Sequence, residues 1–417
     1  MATKFSYGKI FLLGFGFFGV SVIWGVYNAF VPIFLADKFN LAPVWIGFFM
    51  TLDNIAALFI QPPVGAWSDR LRTPIGRRMP FILVGAPLGA LAFGIIPLAA
   101  VLPLFVACTS TLLLSMALWR TPVVALMPDI TPSEKRSQAN GIVNFMGGIG
   151  AIVAFLVGSS LYRANPNFPF WMGSGLVILS ALLVFIFIKE PHNYEDSPHE
   201  PDMFASLREV IADKEKSAIR LFLAIFAWFV GYNAIEAFFT LYAVNHLGLN
   251  EADGAGLLGH LSLIFVLFAL VAGVIGARVG RRVTISAGLI LLGGLIFGLY
   301  VMPAETLVTP LTKLPVLGTV RIVSLFLMGA GASWALININ SLPMVVDMTN
   351  SARIGTYTGL YYLFSTLAAI AGPIVNGWIV QLSGNNYNLM MLVAPLFMVA
   401  ALFLMLGVKR GEAITAA

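Results

Sequence analysis

Charge is what this sequence has least of. Only 10% of its 417 residues are Asp, Glu, Lys or Arg, against 59% that are apolar. Soluble domains run at about a quarter charged and about half apolar. A single water-soluble core stops growing at about 250–300 residues, so lipid must cover the apolar excess. Cysteine is almost absent: Cys108 stands alone inside an apolar run, which excludes an internal disulfide. The chain also lacks a His-Glu-x-x-His pair, a Walker loop, a cysteine–histidine cluster and a Gly-x-Ser-x-Gly elbow. Their absence removes the common signatures of zinc, nucleotide and serine-hydrolase chemistry. No metal, no cofactor and no enzymatic activity are expected. Gly14-Phe-Gly16-Phe-Phe-Gly19 fits a dinucleotide pattern, but no strand precedes it and its flanks are apolar. It reads as a close-packing helix face.

Long apolar runs are what the chain has instead. A hydrocarbon core of about 30 Å takes about 20 apolar residues per helix. Runs between charges and Pro/Gly punctuation place spans at 10–36, 43–67, 80–100, 103–127, 138–162 and 169–189. A second set falls at 219–246, 254–277, 283–303, 317–345, 354–382 and 387–408. The first run is too long for a signal-peptide core and has no small-residue cleavage site, so a retained helix is expected. A formal charge of +5 does not point to nucleic acid, because the basic residues sit in short inter-span loops. With the N-terminus inside, nineteen of the 24 basic residues fall on the cytoplasmic side. The positive-inside rule then sets both termini in the cytoplasm of a multi-pass inner-membrane protein. The polar stretch 190–217 separates the two sets. Within it, Phe204, Leu207, Val210 and Ile211 fall at helical spacing, which suits a short amphipathic helix on the interface; a solvated linker is the alternative.

The two sets repeat. Trp24-Gly-Val-Tyr27-Asn28-Ala29 recurs as Trp228-Phe-Val-Gly-Tyr232-Asn233-Ala234. Gly65-Ala-Trp-Ser-Asp69-Arg70, followed by Gly76-Arg77-Arg78, recurs as Gly273 to Ala277-Arg278 with Gly280-Arg281-Arg282. Asp129 with Arg136 recurs as Asp347 with Arg353. The expected architecture is therefore all-α, twelve transmembrane helices in two pseudo-symmetric six-helix bundles. The bundles are 1–190 and 218–417, joined by a cytoplasmic linker 191–217. Parallel repeats of this kind place a solute site near mid-membrane.

The loop Gly-x-x-Ser-Asp-Arg…Gly-Arg-Arg resembles the signature of the major facilitator superfamily. The longer string from Gln61-Pro62-Pro63 to Gly76-Arg77-Arg78-Met-Pro80-Phe81-Ile82 resembles the plant sucrose transporters and their bacterial and animal relatives. So does Arg120-Thr-Pro122 through Asp129, Arg136 and Ala139-Asn140. The resemblance implies a glycoside–cation symporter with the facilitator fold. It also implies that Gly65, Asp69, Arg70, Gly76, Arg77, Arg78, Asp129 and Arg136 form a cytoplasmic gate that latches one state. Asp69 would bond free N–H groups at a neighbouring helix start, and Arg70 or Arg78 would pair with Asp129. The second copy has Ala277 in place of the acid, so half of the latch is expected to be missing. Plant members carry a coupling acid in the fourth helix; residues 109–118 hold none here, so that role is not carried over.

Ionisable groups inside spans are costly and mark cavities or partners. Asp53, Glu236 and His260 are therefore the candidates for cation coupling, and Arg120 for a polar solute or a carboxylate partner. Trp24, Asn28, Asn54, Gln61, Asn144, Tyr232, Asn233, Asn338 and Tyr361 complete the candidate substrate-binding set. Amides bond hydroxyls in both directions and aromatic faces stack on sugar rings, so the expected substrate is a small glycoside or disaccharide such as sucrose or maltose. The expected co-substrate is a proton, or sodium, and a monomer in the lipid bilayer is expected to move them by alternating access. Rival readings are an exporter of drugs or metabolites and a non-transporting sugar sensor.

Overall fold

The computed structural model describes residues 6–131, 135–190, 203–315, 317–349 and 353–412. Twelve helices among them are long and apolar enough to cross a membrane. Spans one to six are Tyr7–Lys38, Pro43–Arg70, Met79–Leu98, Leu102–Ile130, Gln138–Ala164 and Phe168–Phe187. Spans seven to twelve are Ser217–Asn245, Glu251–Val279, Arg281–Val301, Ile322–Val346, Ile354–Leu382 and Leu389–Leu406. The all-helical membrane architecture expected from the sequence is therefore the one observed. One start differs clearly: span ten opens at Ile322, not at 317. The preceding residues form an antiparallel hairpin of β1 (Pro310–Leu314) and β2 (Gly318–Arg321). Gly318 holds a positive φ of 70° there, a conformation open to glycine that ends the apolar run as a turn.

The chain divides into two compact units. Unit one comprises Met1–Leu41, Ile55–Glu195 and Glu251–Gly259; unit two comprises Ala42–Asn54, Asp196–Asn250 and His260–Ala417. The N-terminal ends of spans two and eight thus group away from the rest of their helices. In unit one, span one packs on five and six, and span three on four and six. In unit two, span seven packs on eleven and twelve, and span nine on ten and twelve. The same four pairings recur in the same order, which is what a parallel repeat requires. The seams match in detail. A Cβ on Gly85 of span three would stand 3.0 Å from the Ser115 carbonyl oxygen of span four. One on Gly288 of span nine would stand 2.9 Å from the Ser333 carbonyl oxygen of span ten. Backbones meet directly at both places, the packing that small residues allow in lipid.

Span two is not one continuous helix. It consists of Pro43–Phe49 and Leu52–Arg70, with the Thr51 hydroxyl donating to the Phe48 carbonyl oxygen at 2.7 Å in between. A side-chain hydroxyl that competes for backbone groups in this way interrupts a helix. The first piece packs on span eleven within unit two, where the Val44 N–H donates to Gln381 Oε1 at 3.3 Å. Asp53 therefore sits in the first turn of the second piece, where unpaired N–H groups and the helix dipole favour a carboxylate.

The polar stretch before span seven carries the helix Met203–Ala212. Val210 is buried and Leu207 half-buried, while Arg208 and Ile211 are exposed. The side chain of Phe204, and residues 191–202, lie outside the described residues.

Candidate functional site

Unit two gathers the larger polar set. Asp53 accepts a hydrogen bond from Asn54 Nδ2 at 2.9 Å, and its charge is felt at Glu236 of span seven. One turn before Glu236, Tyr232 lies flat on Trp334 of span ten, ring centroids 3.9 Å apart and planes within 5°. Phe229 meets the same indole edge-on at 5.2 Å, and Tyr361 of span eleven lies edge-on to Phe229 at 6.3 Å. Half-buried Glu236 thus follows a four-ring aromatic cluster by one helical turn, with half-buried Asp53 near enough to act on its charge, and Asn233 and Asn338 are half-buried too. Asn233 has committed one donor, Nδ2, to the Phe229 carbonyl oxygen at 2.7 Å. The Tyr361 hydroxyl is buried at 3.0 Å from Ser341 Oγ. Trp334 was not singled out from the sequence, because an indole in an apolar span carries no signal of its own.

His260 lies in span eight. It is 1% exposed, and its Nε2 donates to the carbonyl oxygen of Leu317, at the hairpin turn, at 2.9 Å. The histidine ties span eight to the hairpin.

In unit one, Trp24 is half-buried with its indole edge-on to Tyr27 at 5.7 Å. Its buried Nε1–H has no hydrogen-bond partner among the described residues. Asn28, Gln61 and Arg120 are also half-buried, and Arg120 has an interaction partner. Asn144 is exposed and donates within its own helix, to the Asn140 carbonyl at 2.8 Å and to Asn140 Oδ1 at 3.0 Å.

The Gly-Arg-Arg motif builds a second centre in unit one. Arg77 pairs with Asp129 at 2.8 Å and lies 3.8 Å from Asp69 and from Glu190. Arg78 pairs with Asp69, with Ser68 Oγ and, at 3.1 Å, with Asp129 Oδ2. The Ser68 hydroxyl in turn donates to the Gly65 carbonyl oxygen at 2.8 Å. Arg70 is exposed at the end of span two, so Arg77 and Arg78 hold Asp129 in its place. Arg136 lies in the first turn of the span-five helix; its side chain lies outside the described residues.

The N–H groups at the start of span three go to Glu190, an acid not singled out from the sequence. Arg78 N donates to both Glu190 carboxylate oxygens, at 2.9 and 3.2 Å, and Asp69 turns to the arginine side chains instead. The second copy lacks the acid at Ala277, as expected, and keeps the arginine-to-aspartate pair. Arg281 pairs with Asp347 and donates to the Pro343 carbonyl at 2.8 Å. The N–H groups of Arg281 and Arg282 donate to Glu412 at 2.7 and 2.9 Å. Glu190 has no exposed side-chain surface. Burial pushes its carboxyl above the usual glutamate value, the N–H donors of Arg77, Arg78 and Met79 pull it back, and the nearby Asp129 charge adds to the rise.

Twelve apolar helices in two units with matching internal pairings define a multi-pass membrane protein. The family model for the Major Facilitator Superfamily matches residues 13–318 and 262–415, and the chain belongs to that superfamily. Among curated relatives, the Multidrug resistance protein MdtH of Photorhabdus laumondii is 27% identical over 213 residues, half of each chain. The General alpha-glucoside permease of Schizosaccharomyces pombe is 23% identical over 290 residues, 61% of this chain and 52% of that one. The chain spans about half the length of these two relatives. The solved nucleoside transporter NupG shares the fold, with a TM-score of 0.74 over 96% of this chain and 99% of that one, at 16% identity.

Proposed function

We propose that this protein is a secondary active transporter that takes up a small glycoside, a disaccharide of the sucrose or maltose kind, together with a proton. It sits in the inner membrane with both termini in the cytoplasm, a placement its basic loops support, and works by alternating access. The observation that carries the reading is the polar set of unit two. Glu236 follows the Tyr232–Trp334 stack by one turn, and Asp53, bonded by Asn54, acts on its charge. A proton taken up between neighbouring carboxylates relieves their repulsion, while amides and aromatic faces suit a hydroxylated ring. Within unit one, Trp24, Asn28, Gln61 and Arg120 are the candidate solute-binding residues. The similarity to an alpha-glucoside permease supports the substrate class.

Cells expressing the protein should accumulate labelled maltose or sucrose, and a protonophore should abolish the accumulation. Asp53→Asn and Glu236→Gln should each lower concentrative uptake by about tenfold or more, the scale of one lost charge interaction of about 1.4 kcal/mol, while exchange of labelled for unlabelled sugar continues. Full accumulation in both variants would discard the coupling role. The similarity to MdtH favours one other reading, an exporter of drugs. That reading predicts no sugar uptake and a proton-dependent fall in the cellular content of a fluorescent cationic dye.

A further inference from the structure

Both Gly-Arg-Arg loops end in a carboxylate that comes from far along the chain. Glu190 follows span six and meets Arg78 N at the start of span three; Glu412 follows span twelve and meets Arg281 N and Arg282 N at the start of span nine. The glycines match as well: Gly76 has φ +110 and Gly280 φ +101. A Cβ on Gly76 would land on the Glu190 carboxylate, and one on Gly280 would stand 3.3 Å from Glu412 Oε2. Free N–H groups behind a positive-φ residue form an anion-binding concavity, and in each unit the chain fills it with its own acid. We propose that Glu190 and Glu412 are the resident carboxyl groups of the two loops, positioning residues that fix the starts of spans three and nine and thereby hold Arg77 and Arg281 in line with Asp129 and Asp347.

The proposal depends on the geometry within each unit and on no particular solute. In unit one the charged groups facing Glu190 are Arg77, with Nε at 3.8 Å, and Asp129, whose charge reaches it; Asp69 binds the same arginines. Because burial raises the Glu190 carboxyl, its proton is held more tightly in the folded chain than in the unfolded one. The stabilisation linked to that proton is complete below the usual glutamate value of 4.5 and is lost as pH climbs through the raised value.

Hydrogen exchange on the purified full chain in detergent tests the proposal. Glu190→Ala should speed exchange of the 77–79 amides about tenfold or more and leave 281–283 unchanged; Glu412→Ala should do the reverse. Unchanged rates at both segments, or equal acceleration of both by either variant, would overturn it. Should Glu190→Ala not fold, Glu190→Gln carries the test. The thermal midpoint of the parent minus that of Glu190→Gln should fall as pH rises from 4.5 towards neutrality, and a difference that stays flat with pH would overturn the assignment. A purely structural contact would give the flat result.

Discussion

At the scale of single residues, the Gly-Arg-Arg signature has a physical cause. Gly76 combines a positive φ with a carboxylate lying where its side chain would be, whereas Gly280 has the positive φ and a Glu412 carboxylate at 3.3 Å that need yield only a few tenths of an ångström. Gly76→Ala should therefore cost about 1–3 kcal/mol in backbone strain and a similar amount again in displacing Glu190. Gly280→Ala should show the backbone part alone. Thermal unfolding of the two variants in detergent compares them, and equal losses would mean that the Glu190 contact contributes nothing. The glycines, arginines, Asp69 and Asp129 were legible in the sequence because their spacing is fixed by one loop and its repeat. Glu190 was not, since its bond to Arg78 N spans 112 residues and an acid at the edge of a polar linker looks like any solvated residue. Asn144, an amide inside an apolar run, is exposed and spends its Nδ2 donor along its own helix.

Elements were easier to read than their interruptions. Apolar length is a direct consequence of bilayer thickness, so twelve spans could be placed from composition alone. The break at Met50–Thr51 and the hairpin before span ten escaped, because one hydroxyl bond and one positive-φ glycine decide them locally within otherwise apolar sequence. What joins the elements is backbone-to-backbone contact at small residues. Adding a methyl at Gly288 would bring it to 2.9 Å from the Ser333 carbonyl oxygen and 2.8 Å from Ile337 Cγ1. Gly288→Ala should therefore push spans nine and ten apart at a cost of about 1–3 kcal/mol. Gly85→Ala, 3.0 Å from the Ser115 carbonyl oxygen and 2.9 Å from Trp119 Cβ, should cost a similar amount between spans three and four. Reversible unfolding in mixed micelles measures both. Gly294→Ala serves as the control, with nothing within 4 Å of its Cβ position and an expected change within about 0.5 kcal/mol.

Across the whole molecule, the two units repeat the same pairings and the same arginine-to-aspartate bond, and differ in one acid. Asp69 pairs with Arg78 in unit one; its counterpart, Ala277, is exposed in the last turn of span eight, and Arg282 instead donates to the Leu406 carbonyl at 2.6 Å. Ala277→Asp should supply the missing partner. Two effects oppose each other there: a carboxylate at a helix C-terminus is disfavoured by about 0.3–1 kcal/mol, and a partly exposed ion pair returns about 0.2–1 kcal/mol. The net change is therefore small, and the informative quantity is the coupling between the new acid and the arginine. Ala277→Asp should be about 0.5–1 kcal/mol more favourable in the parent than in an Arg282→Gln background, and raising the salt to about 1 M should erase most of that difference. Additive effects at low salt would show that the second loop, despite its matching backbone and its own Glu412, does not present its arginine to span eight as the first loop presents Arg78 to Asp69.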